Sequence, residues 1–364
     1  MTPLLIKLLI PLTFLISFII VFFAVPTILR VAQTKNLFDE PNKRSIHKTR
    51  VPTLGGLAIF IGFTFTYSFF IDVIEYSHIP YLLPALLIIF AIGIKDDILV
   101  TAPMIKLMGQ LIAAFIIVGL GDIRITDFQG FFGIQPSYLG SVIFSIVFVV
   151  FIINGYNLID GVDGLAAITG IITIIAFSFW FQINNSLHMP IMCATLTGGL
   201  MAFMYYNVFS KRQKIFMGDT GSLIIGFLLA VTAIRFIEFN KPENQANLIF
   251  TMNSAPAVAA GIMVIPIMDT LRVFFLRLSR GLSPFTADKN HIHHRLLTLG
   301  LSHLQISLVI GAVNIAFIIL AYALRNMGTL KLFLLLAIMG IIVSYIPSHL
   351  IERKKRKMRA AARL

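Results

Sequence analysis

The sequence predicts an all-α, polytopic membrane bundle of about eleven transmembrane helices. Its N-terminus is expected outside and its C-terminus in the cytoplasm. Three observations support this. Of 364 residues, 58% are hydrophobic and only 12% charged, with a mean hydropathy of +0.91, which excludes an ordinary soluble domain. The apolar residues run in stretches of about 17–28, long enough to cross a hydrocarbon core. The basic residues segregate to alternate connections, as the positive-inside rule requires.

The stretches lie near 4–31, 54–72, 79–95, 104–121, 138–155, 162–183, 188–207, 221–237, 255–278, 303–324 and 328–349. The first carries Lys7 and leads into further spans, so it reads as an uncleaved helix and not a signal peptide. Residues 1–350 form one membrane domain, and 351–364 form a basic tail. The largest inner connections are 32–53 and 279–302, with an outer loop at 238–254. The single Cys193 lies in an apolar run and excludes a disulfide framework.

With the N-terminus outside, the inner connections hold Lys35, Lys43, Arg44, Lys48, Arg50, Lys211, Arg212, Lys214, Arg280, Lys289 and Arg295. The outer ones hold few, such as Arg124, Lys241 and Arg325. The net charge of +13 is therefore a topology signal; beside a span it meets anionic lipid headgroups and implies no nucleic acid. Seven of the eleven aspartates, none used to choose this topology, then fall on the cytoplasmic side: Asp96, Asp97, Asp160, Asp163, Asp219, Asp269 and Asp288. A carboxylate in a bilayer is costly, so the set needs compensating partners and implies one shared site.

Asp96-Asp97 closes the third span, and two adjacent carboxylates suit a divalent cation or a general base. In the run Asn157 to Gly164, a helix would put Asn157, Asp160, Asp163 and Gly164 on one face. Phe216 to Ser222 opens the eighth span, where free helix amides attract phosphate and Asp219 can hold magnesium. It lacks the Gly-Lys-Ser/Thr ending of a P-loop. Asp288 to Arg295 supplies cations; a helix would align His291, His294 and Arg295, and without a cysteine it favours phosphate over zinc. Asp269 can pair with Arg272 at i+3, Lys106 and Gln110 lie one turn apart, and Asn207 either meets a nucleobase or caps its helix.

Taken together, these islands resemble the polyprenyl-phosphate N-acetylhexosamine-1-phosphate transferases of glycosyltransferase family 4 type. Pro52 to Gly56, Asp96-Asp97, Asn157 to Gly164, Asn207, Phe216 to Ser222 and His291 to His294 carry the resemblance by order and spacing. It implies a bacterial inner-membrane enzyme with a cytoplasmic site, a UDP-N-acetylhexosamine donor, undecaprenyl phosphate as acceptor, and Mg2+, with Mn2+ as substitute. The homodimer is compatible with this reading. The resemblance makes Asp219 the metal ligand, assisted by Asp97, and Asp96 or Asp97 the group that readies the lipid phosphate. It places Asp160 and Asp163 at the nucleotide sugar, Asn207 and Phe216 near uridine, and His291, His293 and His294 at the diphosphate. Asn157, Lys106, Arg295 and Lys48 complete the substrate contacts.

His291-Ile292-His293-His294 resembles the branch that uses UDP-N-acetylglucosamine to begin O-antigen, enterobacterial common antigen or teichoic-acid linkage units. The phospho-N-acetylmuramoyl-pentapeptide branch has three consecutive histidines, which Ile292 interrupts here. A nucleotide-sugar transporter is the non-enzyme alternative, but no paired halves are evident.

Overall fold

The computed structural model describes residues 3–35, 37, 51–70, 81–99, 101–131, 133, 135–186, 188–281 and 291–361. Lys48 and Asp288 lie outside the described residues. The helices are α1 Pro3–Thr34, α2 Gly55–Phe70, α3 Leu82–Ile98, α4 Pro103–Phe115, α5 Tyr138–Ile159, α6 Leu165–Ile183 and α7 His188–Met204. They continue as α8 Gly218–Phe239, α9 Ala255–Ile262, α10 Val264–Leu278, α11 Ile292–Leu299, α12 His303–Ala323 and α13 Thr329–Ala361. Each of the eleven apolar stretches contains a helix or a helix pair. Among the described residues eight helices are long and apolar enough to cross a membrane, or nine if α9 and α10 count as one broken span. The chain is a multi-pass membrane protein.

Burial identifies the centre. Over a membrane-length window α8 is 83% buried, whereas α1 and α13 are 28% buried and face outward. α2, α3, α5 and α6 pack around α8. Small residues permit the closest approaches: a Cβ on Gly56 would stand 2.1 Å from the Gly221 nitrogen, and one on Gly93 would stand 2.5 Å from Thr220 Cα.

Three departures from regular spans shape the site. The stretch 255–278, expected as one span, bends by 82° between α9 and α10. Pro266 has no amide for the Ile262 carbonyl four residues back, and Thr173 Oγ1 on α6 donates to that carbonyl instead, at 3.4 Å. Asn157 to Gly164, whose polar residues would share one face in a helix, is helical only to Ile159; residues 160–164 form a turn ending at Gly164, whose φ is +79°. α7 ends in a π-helical turn, Tyr205–Phe209, which carries Asn207. A π turn shifts the helix face by one residue and recurs at functional sites.

Boundaries elsewhere follow from capping. Ser137 accepts from the Gly140 amide at the start of α5. Ser302 and Gln305 form a capping box at the start of α12. α4 opens on Pro103, whose missing amide costs nothing in a first turn.

Candidate active site

One end of the bundle gathers the C-termini of α3 and α5 with the N-termini of α4 and α8. Asp96 on α3 accepts from the Thr101 amide at 2.8 Å and hydroxyl at 2.5 Å, and from Lys106 Nζ at 3.0 Å. Lys106 on α4 also donates to Asp219 at the start of α8. Asn157 on α5 donates through Nδ2 to Asp219 Oδ1 at 3.0 Å and to Ser222 Oγ at 2.9 Å. One ammonium thus bridges two carboxylates of different helices, and four elements meet through side chains. Lys106 therefore faces the site.

Asp97 has a different task. Its Oδ1 accepts from the Asp219 amide at 2.7 Å, and its Oδ2 accepts from the Thr220 amide at 3.0 Å and hydroxyl at 2.5 Å. It caps α8 from another helix, satisfying amides that a helix start leaves open. The expectation that these amides await phosphate is therefore corrected, since a protein carboxylate already occupies two of them. Both oxygens of Asp97, expected to assist Asp219 in holding metal, are hydrogen-bonded to the start of α8. Gly218 makes the cap fit: its φ is +72°, and an added Cβ would stand 2.1 Å from the Thr53 carbonyl oxygen and 2.6 Å from Asp97 Oδ1. Gly218→Ala is expected to destabilise the protein by about 2 kcal/mol or more. Thermal melting in detergent checks this; a melting point equal to wild type contradicts it.

The 160–164 turn is held from three sides. Asp163 accepts from Lys214 Nζ at 2.6 Å and pairs with His303 Nδ1 at 2.8 Å. Burial raises the Asp163 carboxyl, but the His303 and Lys214 hydrogen bonds and charges outweigh it and hold it below the usual carboxylate range. Asn207 Oδ1 accepts from the Gly164 amide at 2.6 Å, and its Nδ2 donates to the Ile215 carbonyl at 2.9 Å. Asn207 is buried and ties the turn to the loop before α8. Its side-chain amide acts here as a structural bridge. Phe216 is half-buried beside Lys214, whose ammonium lies 5.6 Å from the ring centroid. Its backbone accepts from Gly55 and donates to Pro52, both at 2.9 Å. The expected 52–56 run thereby joins the site.

Burial, with the negative Asp219, Asp97 and Asp163 nearby, pushes the Asp160 carboxyl up to about 8. Its proton is held more tightly in the folded chain than in the unfolded one. The stability this contributes is complete below the ordinary carboxylate pKa and is lost as pH rises to about 8. In chelator, wild-type protein is expected to lose melting temperature relative to Asp160→Asn across that window. Parallel melting curves for the two proteins contradict the assignment.

The histidine motif docks on the same turn. The α11 helix begins at Ile292, so His291 is its N-cap residue and not part of a helical face. His291 Nδ1 lies 2.8 Å from Asp269 Oδ2, and the His291 and His293 rings are parallel with centroids 5.7 Å apart. A Cβ on Gly161 would stand 2.5 Å from His293 Nε2, so His293 touches the turn. Burial, with His294, pulls His293 down to about 3 against the opposing pull of Asp269, leaving it neutral at physiological pH. His294 packs on His293, with centroids 4.4 Å apart. Arg295, expected beside His291 and His294, donates to Ser348 Oγ on α13. It lines a groove of about 1020 Å³ between α10 and α13. A second, apolar cavity of about 280 Å³ runs beneath His293, between Ile159, Leu165, Met268, Leu296 and Ile310.

Asp96, Asp97, Lys106, Asn157 and Asp219 therefore form one bonded cluster, while Asp160, Asp163, Asn207 and His293 share the adjoining turn. Sequence reasoning missed Thr101, Thr220, Asn154, Lys214 and His303. Lys214 was visible only as a topology charge. Asn154 makes a reciprocal amide pair with Gln110, one turn deeper than Lys106 and Asn157; Asn154 Nδ2 donates to Gln110 Oε1 at 2.6 Å. Its signal was the spacing Asn154-x-x-Asn157 on a span.

Comparison with known proteins gives the family. Residues 79–237 match glycosyl transferase family 4. Decaprenyl-phosphate N-acetylglucosaminephosphotransferase of Mycobacterium tuberculosis is 30% identical over 80% of this chain and 76% of its own length. Undecaprenyl-phosphate alpha-N-acetylglucosaminyl 1-phosphate transferase of Escherichia coli is 30% identical over the same shares. The Mycolicibacterium smegmatis decaprenyl-phosphate N-acetylglucosaminephosphotransferase is 32% identical over 74% of this chain and 71% of its own. A likeness that spans most of both chains makes this protein a member of glycosyl transferase family 4.

Proposed function

We propose that this protein transfers N-acetylglucosamine-1-phosphate from UDP-N-acetylglucosamine to undecaprenyl phosphate at the cytoplasmic face of a bacterial inner membrane. UMP is released, and the lipid-linked sugar begins a cell-surface polysaccharide. The observation that carries the reading is the single cluster joining Asp96, Lys106, Asn157 and Asp219 across four helix ends. The family relationship supplies the reaction class.

A lipid-phosphate oxygen attacks the sugar-bearing phosphorus, the bond from that phosphorus to the bridging oxygen breaks, and UMP departs with that oxygen and the bonding electrons. Such a transfer needs positioning and charge neutralisation more than covalent help from the protein. Lys106 is placed to follow phosphate charge from Asp96 and Asp219. Asp96 is the carboxylate beside the acceptor, and Asp97 keeps α8 in register. Asp160, Asp163 and Phe216 border the donor, with Lys214 and His303 holding the turn that carries them.

Magnesium fits this site. Mg2+ takes oxygen ligands from one or two protein groups and leaves the rest to water and phosphate. Among the described residues no cluster of three His, Cys, Asp or Glu side chains forms a cage. Asp219 and Asp96 already share one cation, the Lys106 ammonium. Asp219 would hold the metal. When bound, the ion supplies charge neutralisation on the donor diphosphate.

The apolar cavity beneath His293 supports a lipid substrate at the same end of the bundle. The test is purified protein given UDP-N-acetylglucosamine and magnesium with and without undecaprenyl phosphate. UMP release that requires the lipid supports the reading. No release with any UDP-N-acetylhexosamine overturns it.

A further inference from the structure

Asp269 pairs with Arg272 at i+3, as the spacing allows, and its two oxygens also serve a segment more than twenty residues away. Oδ2 lies 2.8 Å from His291 Nδ1, and Oδ1 accepts from the Ile292 amide at 2.9 Å. Arg272 Nη1 stands farther off, at 3.9 Å from Oδ1. Asp269, His291 and His293 are 2%, 4% and 2% exposed, so water does not compete for these bonds. The 82° bend before α10 carries Asp269 to this position. A carboxylate can only accept here, so the ring nitrogen facing it carries the proton.

We propose that Asp269 is a positioning residue for the histidine motif, holding His291 with its proton on Nδ1 and leaving Nε2 as the working nitrogen. Through the parallel His291–His293 stack, it also sets the His293 edge that touches Gly161. The same carboxylate anchors the first amide of α11, so ring orientation and helix start are fixed together. The inference rests on the proposed transferase reading for its consequence, but not for its geometry.

Asp269→Asn separates tautomer from packing because it is isosteric. Its one remaining oxygen can accept from Ile292, which turns its NH2 toward His291 Nδ1. A donor there requires a lone pair on Nδ1 and moves the proton to Nε2. Nitrogen NMR of labelled histidines, with His291 assigned by its loss in His291→Gln, reads this without any substrate. The expected result is a protonated Nδ1 in wild type and an unprotonated Nδ1 in Asp269→Asn. In the UMP-release assay, kcat for Asp269→Asn should fall roughly tenfold or more, with the donor KM within about threefold of wild type. Asp269→Ala keeps the proposal testable if the amide variant is unstable, since it removes the acceptor and adds no donor. An unprotonated Nδ1 in wild type overturns the proposal, as does wild-type kcat in a variant whose tautomer has switched. An inactive wild-type protein with the expected tautomers counts against the proposed reaction and leaves the Asp269–His291 assignment standing.

Discussion

Asp219→Asn is expected to lower the rate of UMP release by roughly 10²–10³-fold or more, the loss typical of removing one preorganised charge-stabilising group. The folded protein should survive the change. Asp219 is the meeting point of three helices: Lys106 reaches it from α4, Asn157 from α5, and its own backbone opens α8. An amide in its place loses the negative charge that would hold magnesium and turns a donor or a weaker acceptor toward the Lys106 ammonium. The backbone amide of residue 219 keeps its bond to Asp97, so α8 stays capped. Rates are compared at equal amounts of monodisperse protein, with melting temperature measured in parallel. Activity within about tenfold of wild type removes Asp219 from the centre of the site.

Asp97→Ala has the opposite signature, in which stability falls first and activity falls with it. Three hydrogen bonds from Asp219 and Thr220 converge on this carboxylate. Removing it leaves the first amides of the most buried helix without their acceptor. The cost is about 2–3 kcal/mol, the upper end of a capping loss and of a hydrogen bond to a charged group. Melting temperature should drop clearly in Asp97→Ala and hardly at all in Asp219→Asn. Two carboxylates sharing one catalytic task would not separate in this way. If Asp97→Ala melts with wild type but is catalytically dead, the carboxylate acts on substrate and the capping role is wrong.

The fold was legible where hydropathy and length decide it. Each apolar stretch contains a helix because a membrane leaves the backbone no other way to satisfy itself. The break at Met263 was less legible. Pro266 permits a kink, but the partner of the freed Ile262 carbonyl, Thr173 of α6, is distant in sequence. The spacing Asn157-x-x-Asp160-x-x-Asp163 fits a helix, yet the structure stops that helix at Ile159 and turns through Gly161 and Gly164. Two glycines with two aspartates are as compatible with a turn, and spacing alone could not choose. Residue chemistry marked the aspartate islands, because carboxylates in an apolar chain need partners. Who those partners are is tertiary information. Asp97 caps a helix more than a hundred residues away, and Asp269 meets His291 across a connection outside the described residues. Lys214 and His303 carried no signal beyond a basic loop and a helix start.

In the proposed reaction a phosphosugar, and not the sugar alone, moves to the lipid. UDP-N-acetylglucosamine radiolabelled in its β-phosphate decides this directly when incubated with purified protein, magnesium and undecaprenyl phosphate. The label is expected to partition into the lipid phase, leaving unlabelled UMP in water. Label retained in aqueous UDP, with sugar alone on the lipid, contradicts it.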